Sequence, residues 1–140
     1  MKHKVNYFTD KITDNCTWRE FLLLRKENLI AIPDNALYLE NALYLADTLE
    51  SIRARFNKPL IFTSVFRPKY YNAYIKGGSR SKHMELLAAD FIVGGRSSES
   101  VREYLEPRVE EFNIQLELNQ TVHVHIACCR DKYTPKSFFV

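Results

Sequence analysis

The stretch from Ala36 to Phe56 constrains the fold most, because its apolar residues recur every three or four positions. They are Leu39, Ala42, Leu43, Ala46, Leu49, Ile52 and Phe56. This spacing predicts one long amphipathic helix, with a cap supplied by Ile32-Pro33-Asp34-Asn35. After Asn57-Lys58-Pro59 the period changes. Residues 60–66 are β-branched and aromatic, which predicts a buried strand.

Shorter elements are predicted on both sides of this helix and strand. Thr17-Trp18-Arg19-Glu20 has the form of a capping box and predicts the start of a short helix. The other predicted elements are a helical turn at 69–75, a strand at 87–93, a helix capped by Ser97 or Ser98 that Pro107 kinks or stops, and a hairpin of 113–118 with 121–128 around Asn119-Gln120. Residues 138–140 either pack on the core or add an edge strand, and residues 1–15 form a loosely ordered lead-in.

Length and composition limit the class of protein. The chain has 140 residues, of which 46% are hydrophobic and 26% charged, with four glycines and five prolines. These values predict a single globular domain spanning residues 1–140, and we expect a monomer. The net charge of +3 is not gathered into a basic stripe, so nucleic acid is not an expected partner. No apolar run is long enough for a membrane span.

The cysteines and the N-terminus indicate where the chain is made. Cys16, Cys128 and Cys129 are odd in number, and adjacent cysteines on a strand point to opposite faces, so all three are expected to be reduced thiols. A cysteine-based zinc site would need a Cys-x-x-Cys spacing that the sequence lacks. The first ten residues lack the apolar core of a signal peptide. We therefore expect synthesis in the cytoplasm.

Residues 81–90 contain the candidate chemistry. His83 and Asp90 frame an alanine-rich entry into a predicted strand, and His123 and His125 follow on a later strand. Two imidazoles, one carboxylate and a water suit a catalytic zinc ion, whose bound water ionises near pH 7. Strand alternation would also place Glu117 on the same face as both later histidines.

Each of these residues also has an ordinary structural explanation. A single histidine is more often hydrogen-bonded or exposed than a metal ligand, and Glu117 could simply be solvated. Arg67, at the end of a strand, could be a surface cation or an ion-pair partner. Asp90 is harder to explain in this way, because a carboxylate in a buried strand costs several kcal/mol unless it is paired or binds metal.

The motif at residues 81–90 resembles a known family pattern. Ser81-Lys82-His83 with Ala88-Ala89-Asp90 is similar to the Ser-x-His-x-x-Gly-x-Ala-x-Asp motif of zinc D-Ala-D-Ala carboxypeptidases and murein endopeptidases, whose fold also occurs in the hedgehog signalling domain. Other matching segments, in order, are Thr63-Ser64-Val65-Phe66-Arg67, Tyr71-Asn72, Gly77-Gly78 and Val122-His123-Val124. The layout is similar to that of the small members carried by bacteriophages.

The resemblance implies a fold and an activity. The fold would be α+β, with a small antiparallel sheet and helices packed on one side. The activity would be hydrolysis of a peptide bond in peptidoglycan stem peptides, as a D,D- or L,D-carboxypeptidase or an endopeptidase. Such an enzyme could serve a phage in lysis or in entering its host, and would act on the cell wall once released or delivered.

The resemblance also implies roles for individual residues. His83 and Asp90 would bind zinc, and Arg67 and Ser81 would bind substrate, with Arg67 also stabilising the oxyanion. Glu117 would be the catalytic base. The third zinc ligand would be His123 or His125. The family's Trp-Val-His-Val strand favours His123.

Four positions depart from the family pattern. Leu86 and Val65 replace glycines, and either would be strained if its backbone required a positive φ. Thr121 replaces a tryptophan, and Gln120 stands where many members have the acidic base. The alternative hypothesis is therefore a non-catalytic zinc-binding module of the same fold that binds a peptide or a partner protein.

Overall fold

The computed structural model describes residues 4–119, 122–130 and 133–139. Within these ranges the helices are α1 (Trp18–Leu22), α2 (Ala36–Phe56), α3 (Lys69–Tyr74), α4 (Ser98–Leu105) and α5 (Val109–Phe112). The strands are β1 (Lys11–Thr13), β2 (Cys16–Thr17), β3 (Leu23–Leu24), β4 (Leu29–Ile30), β5 (Leu60–Ser64), β6 (Ala88–Val93), β7 (Ile114–Glu117), β8 (Val124–Cys128) and β9 (Lys136–Phe138). Two 3-10 helices, Lys82–Glu85 and Glu106–Arg108, precede β6 and α5.

Helix α2 has the bounds that its apolar period predicts. The Asn35 side chain caps its first turn by accepting a hydrogen bond from Leu37 N at 2.8 Å, and the helix ends where Asn57 turns left-handed. Its apolar face is buried in the core of the protein. Within the described ranges, no helix, α2 included, is both long and apolar enough to cross a membrane.

The predicted signals at the shorter helices are also confirmed. Thr17 Oγ1 accepts from Glu20 N at 3.1 Å, and Glu20 Oε1 accepts from Thr17 N at 3.0 Å, which is the reciprocal capping box. Ser97 caps α4. That helix ends at Leu105, and a 3-10 turn containing Pro107 follows, because proline cannot donate the next helical hydrogen bond.

Five strands form the main sheet, in the order β5-β6-β8-β7-β9. The first four are antiparallel to their neighbours, and the predicted hairpin is present as β7 and β8, although Gln120 and Thr121 of its turn lie outside the described residues. The C-terminal patch adds an edge strand, β9, but this strand runs parallel to β7. The sheet is therefore mixed, because the chain returns after β8 and runs beside β7 in the same direction.

The helices cover one face of this sheet, as predicted. Helices α2 and α4 contact β8, α5 contacts β7, and α1 contacts β5. Alternate residues of the strands point into this layer and are buried in the core: Phe62, Phe91, Leu116, Val124 and Ile126. The fold class is thus α+β, and the intervening strand residues lie on the opposite face.

The segment expected to be a loosely ordered lead-in takes part in the fold. Strand β1 pairs with β2, and Trp18 N donates to Asp10 O at 3.3 Å. The Tyr7 ring packs edge-on against Trp18, with centroids 5.5 Å apart. The correction has a simple cause, since the apolar side chains of this segment bury surface against Trp18 and the core. Residues 1–3 lie outside the described residues.

Candidate metal centre

Asp90 lies in the middle of β6, on the sheet face opposite the helices. Its neighbours Ala89 and Phe91 are fully buried in the core, so strand alternation turns Asp90 to the other face. Its exposure is nevertheless only 3%. Strand β8 pairs with β6 in a register that sets His125 directly opposite Asp90. Because a buried carboxylate needs partners, the groups around Asp90 determine what this site can do.

His83 approaches Asp90 from the 3-10 helix that precedes β6. The hydroxyl of Ser81 caps this helix by accepting from His83 N at 3.3 Å, and Arg67 N donates to His83 O at 3.1 Å. The ring nitrogen Nδ1 lies 2.7 Å from Val65 O. With an exposure of 1%, the imidazole is fixed both by hydrogen bonds and by packing.

Four side chains converge on the two oxygens of Asp90. His125 Nδ1 lies 2.6 Å and His83 Nε2 3.3 Å from Oδ1. Arg67 Nη2 lies 3.1 Å and His123 Nε2 3.3 Å from Oδ2. Burial by itself would raise the pKa of Asp90, but the hydrogen bond from His125 holds this pKa well below its usual range. The carboxylate is therefore ionised at neutral pH.

The Nε2 atom of His83 provides a test of whether a metal fits here. A carbonyl oxygen only accepts, so the contact with Val65 O places the imidazole proton on Nδ1. Burial lowers the pKa of His83 despite the opposing effect of Asp90, which leaves the ring neutral, with a lone pair on Nε2. That atom is buried and has no hydrogen-bond partner among the described residues.

Two electron-rich atoms, His83 Nε2 and Asp90 Oδ1, therefore lie 3.3 Å apart without a proton to join them. A cation between them would relieve this repulsion. In metal sites a ligating imidazole commonly donates its other N–H to a backbone carbonyl, as His83 does to Val65. Two imidazoles and a carboxylate are also a donor set that suits zinc. The residues present thus fit the metal that the sequence motif implies.

Among the described residues, His83, Asp90 and His125 offer ligand atoms that lie within 4.8 Å of one another. His123 lies beside this group, with its Nε2 against Asp90, an exposure near a quarter, and its carbonyl held by Arg102 Nη1 at 3.1 Å. The family pattern favours His123 as the third ligand, whereas the three-residue cluster contains His125. The difference arises because His123 precedes β8, while His125 lies within it.

Arg67 is tied to the metal centre by two side-chain contacts. Its Nε donates to Ser64 Oγ at 3.0 Å and its Nη2 to Asp90 Oδ2 at 3.1 Å. Arg67 therefore forms an ion pair with Asp90, which is one of the two roles that the sequence allowed. The other role, substrate binding, stays a prediction. The guanidinium retains further N–H donors at the edge of the site.

Glu117 ends β7 and is 7% exposed. Its neighbour Leu116 pairs with Ile126, so the antiparallel register continues towards His125. Glu117 therefore lies on the same sheet face as the candidate ligands, as strand alternation predicted. It is not a member of the three-residue cluster. Gln120, where family members often have an acidic base, lies outside the described residues.

The two glycine replacements have different consequences. Val65 is not among the described residues with positive φ, so it adopts its backbone conformation without that strain. Leu86 has a φ of 59° and ends the 3-10 helix in the left-handed region. Its side chain is fully buried in the core. The motif glycine is thus replaced by a leucine whose packing offsets an unfavourable backbone conformation.

The cysteines lie apart from this centre. All three are free and buried, and desolvation raises the pKa of both Cys16 and Cys128 to about 12.

A groove of about 1850 Å³ opens beside the metal centre. Phe66, Ser81 and Lys82 on its wall adjoin Arg67 and His83 in the chain, and the wall residue Phe138 packs edge-on against His125 at a centroid distance of 6.4 Å. Sequence reasoning identified Ser81 but missed Lys82, Gln115, Tyr133 and Lys136. These four come from three separate segments, so no local spacing could have brought them together.

Residues 15–127, most of the chain, match the family model described as Peptidase M15. This range contains every residue of the cluster His83, Asp90 and His125. No curated protein matches the chain.

Proposed function

Because the chain belongs to the Peptidase M15 family, we propose that it is a zinc-dependent peptidase that hydrolyses a peptide bond in peptidoglycan stem peptides. The observation that carries the proposal is the buried cluster of His83, Asp90 and His125, in which the His83 Nε2 lone pair faces an ionised carboxylate. The proposal covers both carboxypeptidase and endopeptidase action.

His83, Asp90 and His125 would hold the zinc ion. Zinc bound in this way supplies a Lewis acid that polarises a carbonyl oxygen and makes water nucleophilic near neutral pH. The protein contributes a rigid donor set, because Val65 O orients His83 and the β6–β8 register orients His125.

Glu117 would act as the general base. It is the buried carboxylate on the site's sheet face besides Asp90, and the strand register brings it next to His125. It would accept a proton from the attacking water and return it to the amine that leaves when the peptide bond breaks. Proton transfer of this kind typically contributes about 10²- to 10⁴-fold to the rate.

Arg67 and Ser81 would bind the substrate. The outer N–H groups of Arg67 can donate to the carbonyl oxygen of the scissile bond while Nη2 remains on Asp90, which places positive charge where the oxyanion develops. Ser81 lines the groove, and its hydroxyl can donate to the peptide while its oxygen caps the 3-10 helix.

Digestion of purified cell wall tests this proposal. We expect the zinc-loaded protein to release free amino groups, and we expect Asp90→Ala to lose both the metal and the activity. Glu117→Gln should keep zinc at the wild-type stoichiometry but lose turnover by about 10²-fold or more. Circular dichroism of each variant verifies that it is folded.

Bound zinc without turnover in the wild-type protein would contradict the enzyme and favour a non-catalytic zinc-binding module of the same fold. Unchanged turnover in Glu117→Gln would contradict the assignment of the base while leaving the peptidase itself supported. The two results are separable because metal content and amino-group release are measured on the same samples.

A further inference from the structure

The groove beside the metal centre is lined by more positive than negative charge. The charged residues on its wall are Lys69, Arg80, Lys82 and Lys136, with Asp34 and Glu85. Of the two carboxylates, that of Glu85 already accepts a hydrogen bond from the Tyr133 hydroxyl at 3.3 Å. The wall therefore presents a positive surface to whatever lies in the groove.

Lys82 directly precedes the candidate ligand His83 in the chain. Its ammonium group donates to Gln115 Oε1 and lies 3.7 Å from the centroid of the Tyr133 ring. The side chain is half-buried. Within the described part of the chain, no carboxylate lies within ion-pair distance of it. Lys82 is thus positioned by an uncharged amide and an aromatic face, which leaves its charge uncompensated by these contacts.

Lys136 brings a second positive charge to the same place. Strand β9 pairs with β7 so that Lys136 lies beside Gln115, the residue that holds the Lys82 ammonium. The positive charge of Lys136 acts on Lys82, and two like charges repel each other unless an anion lies between them. The Gln115 side chain is itself fixed, because its Nε2 donates to Thr134 O at 3.0 Å.

The size of the groove indicates the kind of anion. A volume of about 1850 Å³ exceeds the roughly 300–1,000 Å³ of a typical small-molecule pocket, and aromatic rings share the wall with the cations. The rings belong to Tyr38, Phe66, Tyr70, Tyr133, Phe138 and Phe139. A chain-like ligand fits this shape better than a free ion does.

We propose that the groove selects an acidic peptide, and that Lys82 and Lys136 determine this specificity by binding a free side-chain or terminal carboxylate of the substrate close to the scissile bond. The inference rests on the proposed function, because it takes the ligand of the groove to be the peptide that is cleaved beside it. The acidic preference itself depends only on the groove and can be measured without turnover.

The test measures binding to the full-length chain carrying Glu117→Gln, so that cleavage cannot interfere. The probes are two pentapeptides with the same uncharged dye, one containing two glutamates and one with glutamines in their places. Fluorescence anisotropy gives the Kd of each at low and at moderate salt. We expect the glutamate peptide to bind about tenfold more tightly at low salt, with the difference shrinking as salt rises.

Variants at the two lysines identify the source of that preference. Lys82→Met, which keeps the length of the side chain, and Lys136→Gln on the exposed edge strand should each reduce the preference about threefold or more. Lys58→Gln is the matched control, because Lys58 is an exposed lysine outside the groove. It should leave the preference unchanged.

Three results would overturn the proposal. The first is equal binding of the two peptides by the protein with both lysines intact. The second is a loss of preference in Lys58→Gln as large as in the Lys82 and Lys136 variants. The third is displacement of the acidic peptide by a short oligonucleotide that supplies the same concentration of negative charge. Hydrolysis assays separate this inference from the proposed function. An acidic preference in a protein that cleaves no peptide contradicts the function alone, and cleavage without the preference contradicts the groove alone.

Discussion

At the scale of single residues, the centre is organised by Asp90. One arginine and three histidines contact this carboxylate. The register of β6 against β8 places His125 directly opposite it. The sequence predicted that a carboxylate following two alanines in a buried strand needs such partners. The family pattern favoured His123 over His125, but two histidines of equal chemistry differ only in where the strand begins, so the sequence alone could not decide between them.

Leu86 shows a local conflict between backbone and packing. A left-handed conformation costs a residue with a β-carbon roughly 1–2 kcal/mol, which glycine would not incur. The same leucine is fully buried, and truncating a buried leucine typically costs about 2–5 kcal/mol. The stabilisation from packing is therefore larger than the cost of the backbone strain.

We therefore predict that Leu86→Gly lowers the free energy of unfolding by about 1–3 kcal/mol, despite removing the backbone strain. Asn57→Gly is the control, since Asn57 is also left-handed, at a φ of 51°, but is exposed at the end of α2. It should be unchanged or slightly more stable. Urea unfolding of both variants measures the difference, and a Leu86→Gly protein more stable than the wild type would show that strain dominates.

At the scale of elements, the loop between α3 and the motif is shaped by Asn72. Its side-chain Nδ2 donates to Gly78 O at 2.9 Å, and its backbone carbonyl accepts from Gly77 N at 2.8 Å. The Asn and Gly-Gly positions noted in the sequence thus form one hydrogen-bonded turn. This turn leads the chain towards Ser81 and the 3-10 helix that carries His83.

The two glycines of this loop should respond differently to alanine. A β-carbon at Gly77 would lie 2.1 Å from Asn72 Oδ1, so the buried amide must move and break its bond to Gly78. We predict a loss of about 1–3 kcal/mol in unfolding free energy for Gly77→Ala. At Gly78 nothing lies within 4 Å, so Gly78→Ala should stay within about 0.5 kcal/mol of the wild type. Equal stabilities in thermal or urea unfolding would contradict the assigned role of Asn72.

How far the elements could be predicted depended on the length of their signals. Helix α2 has six turns of apolar period and was placed to the residue, and the capping box marked α1. Strands β1 and β9 have three residues each, too few to show alternation. Their pairing is set by tertiary contacts such as Tyr7 on Trp18 and Leu118 N on Phe138 O at 2.8 Å.

At the scale of the whole molecule, the sheet separates structure from chemistry. One face carries the helices and the core, and the other carries the metal centre, which the groove borders on the side of His83 and His125. The motif of residues 81–90 and the later histidines were enough to predict that His83, Asp90 and one of these histidines come together, as His125 does. The groove could not be predicted, because its wall combines the 3-10 helix with β7, β9 and the segment before β9.

The proposed function depends most directly on which residues bind metal. The decisive measurement is metal analysis by mass spectrometry of the full chain purified without chelator, together with single alanine variants. We predict about one zinc ion per chain in the wild type and in His123→Ala, and a strong loss in His83→Ala, Asp90→Ala and His125→Ala. A wild-type protein without a stoichiometric transition metal would contradict the account, as would zinc retained in His125→Ala but lost in His123→Ala.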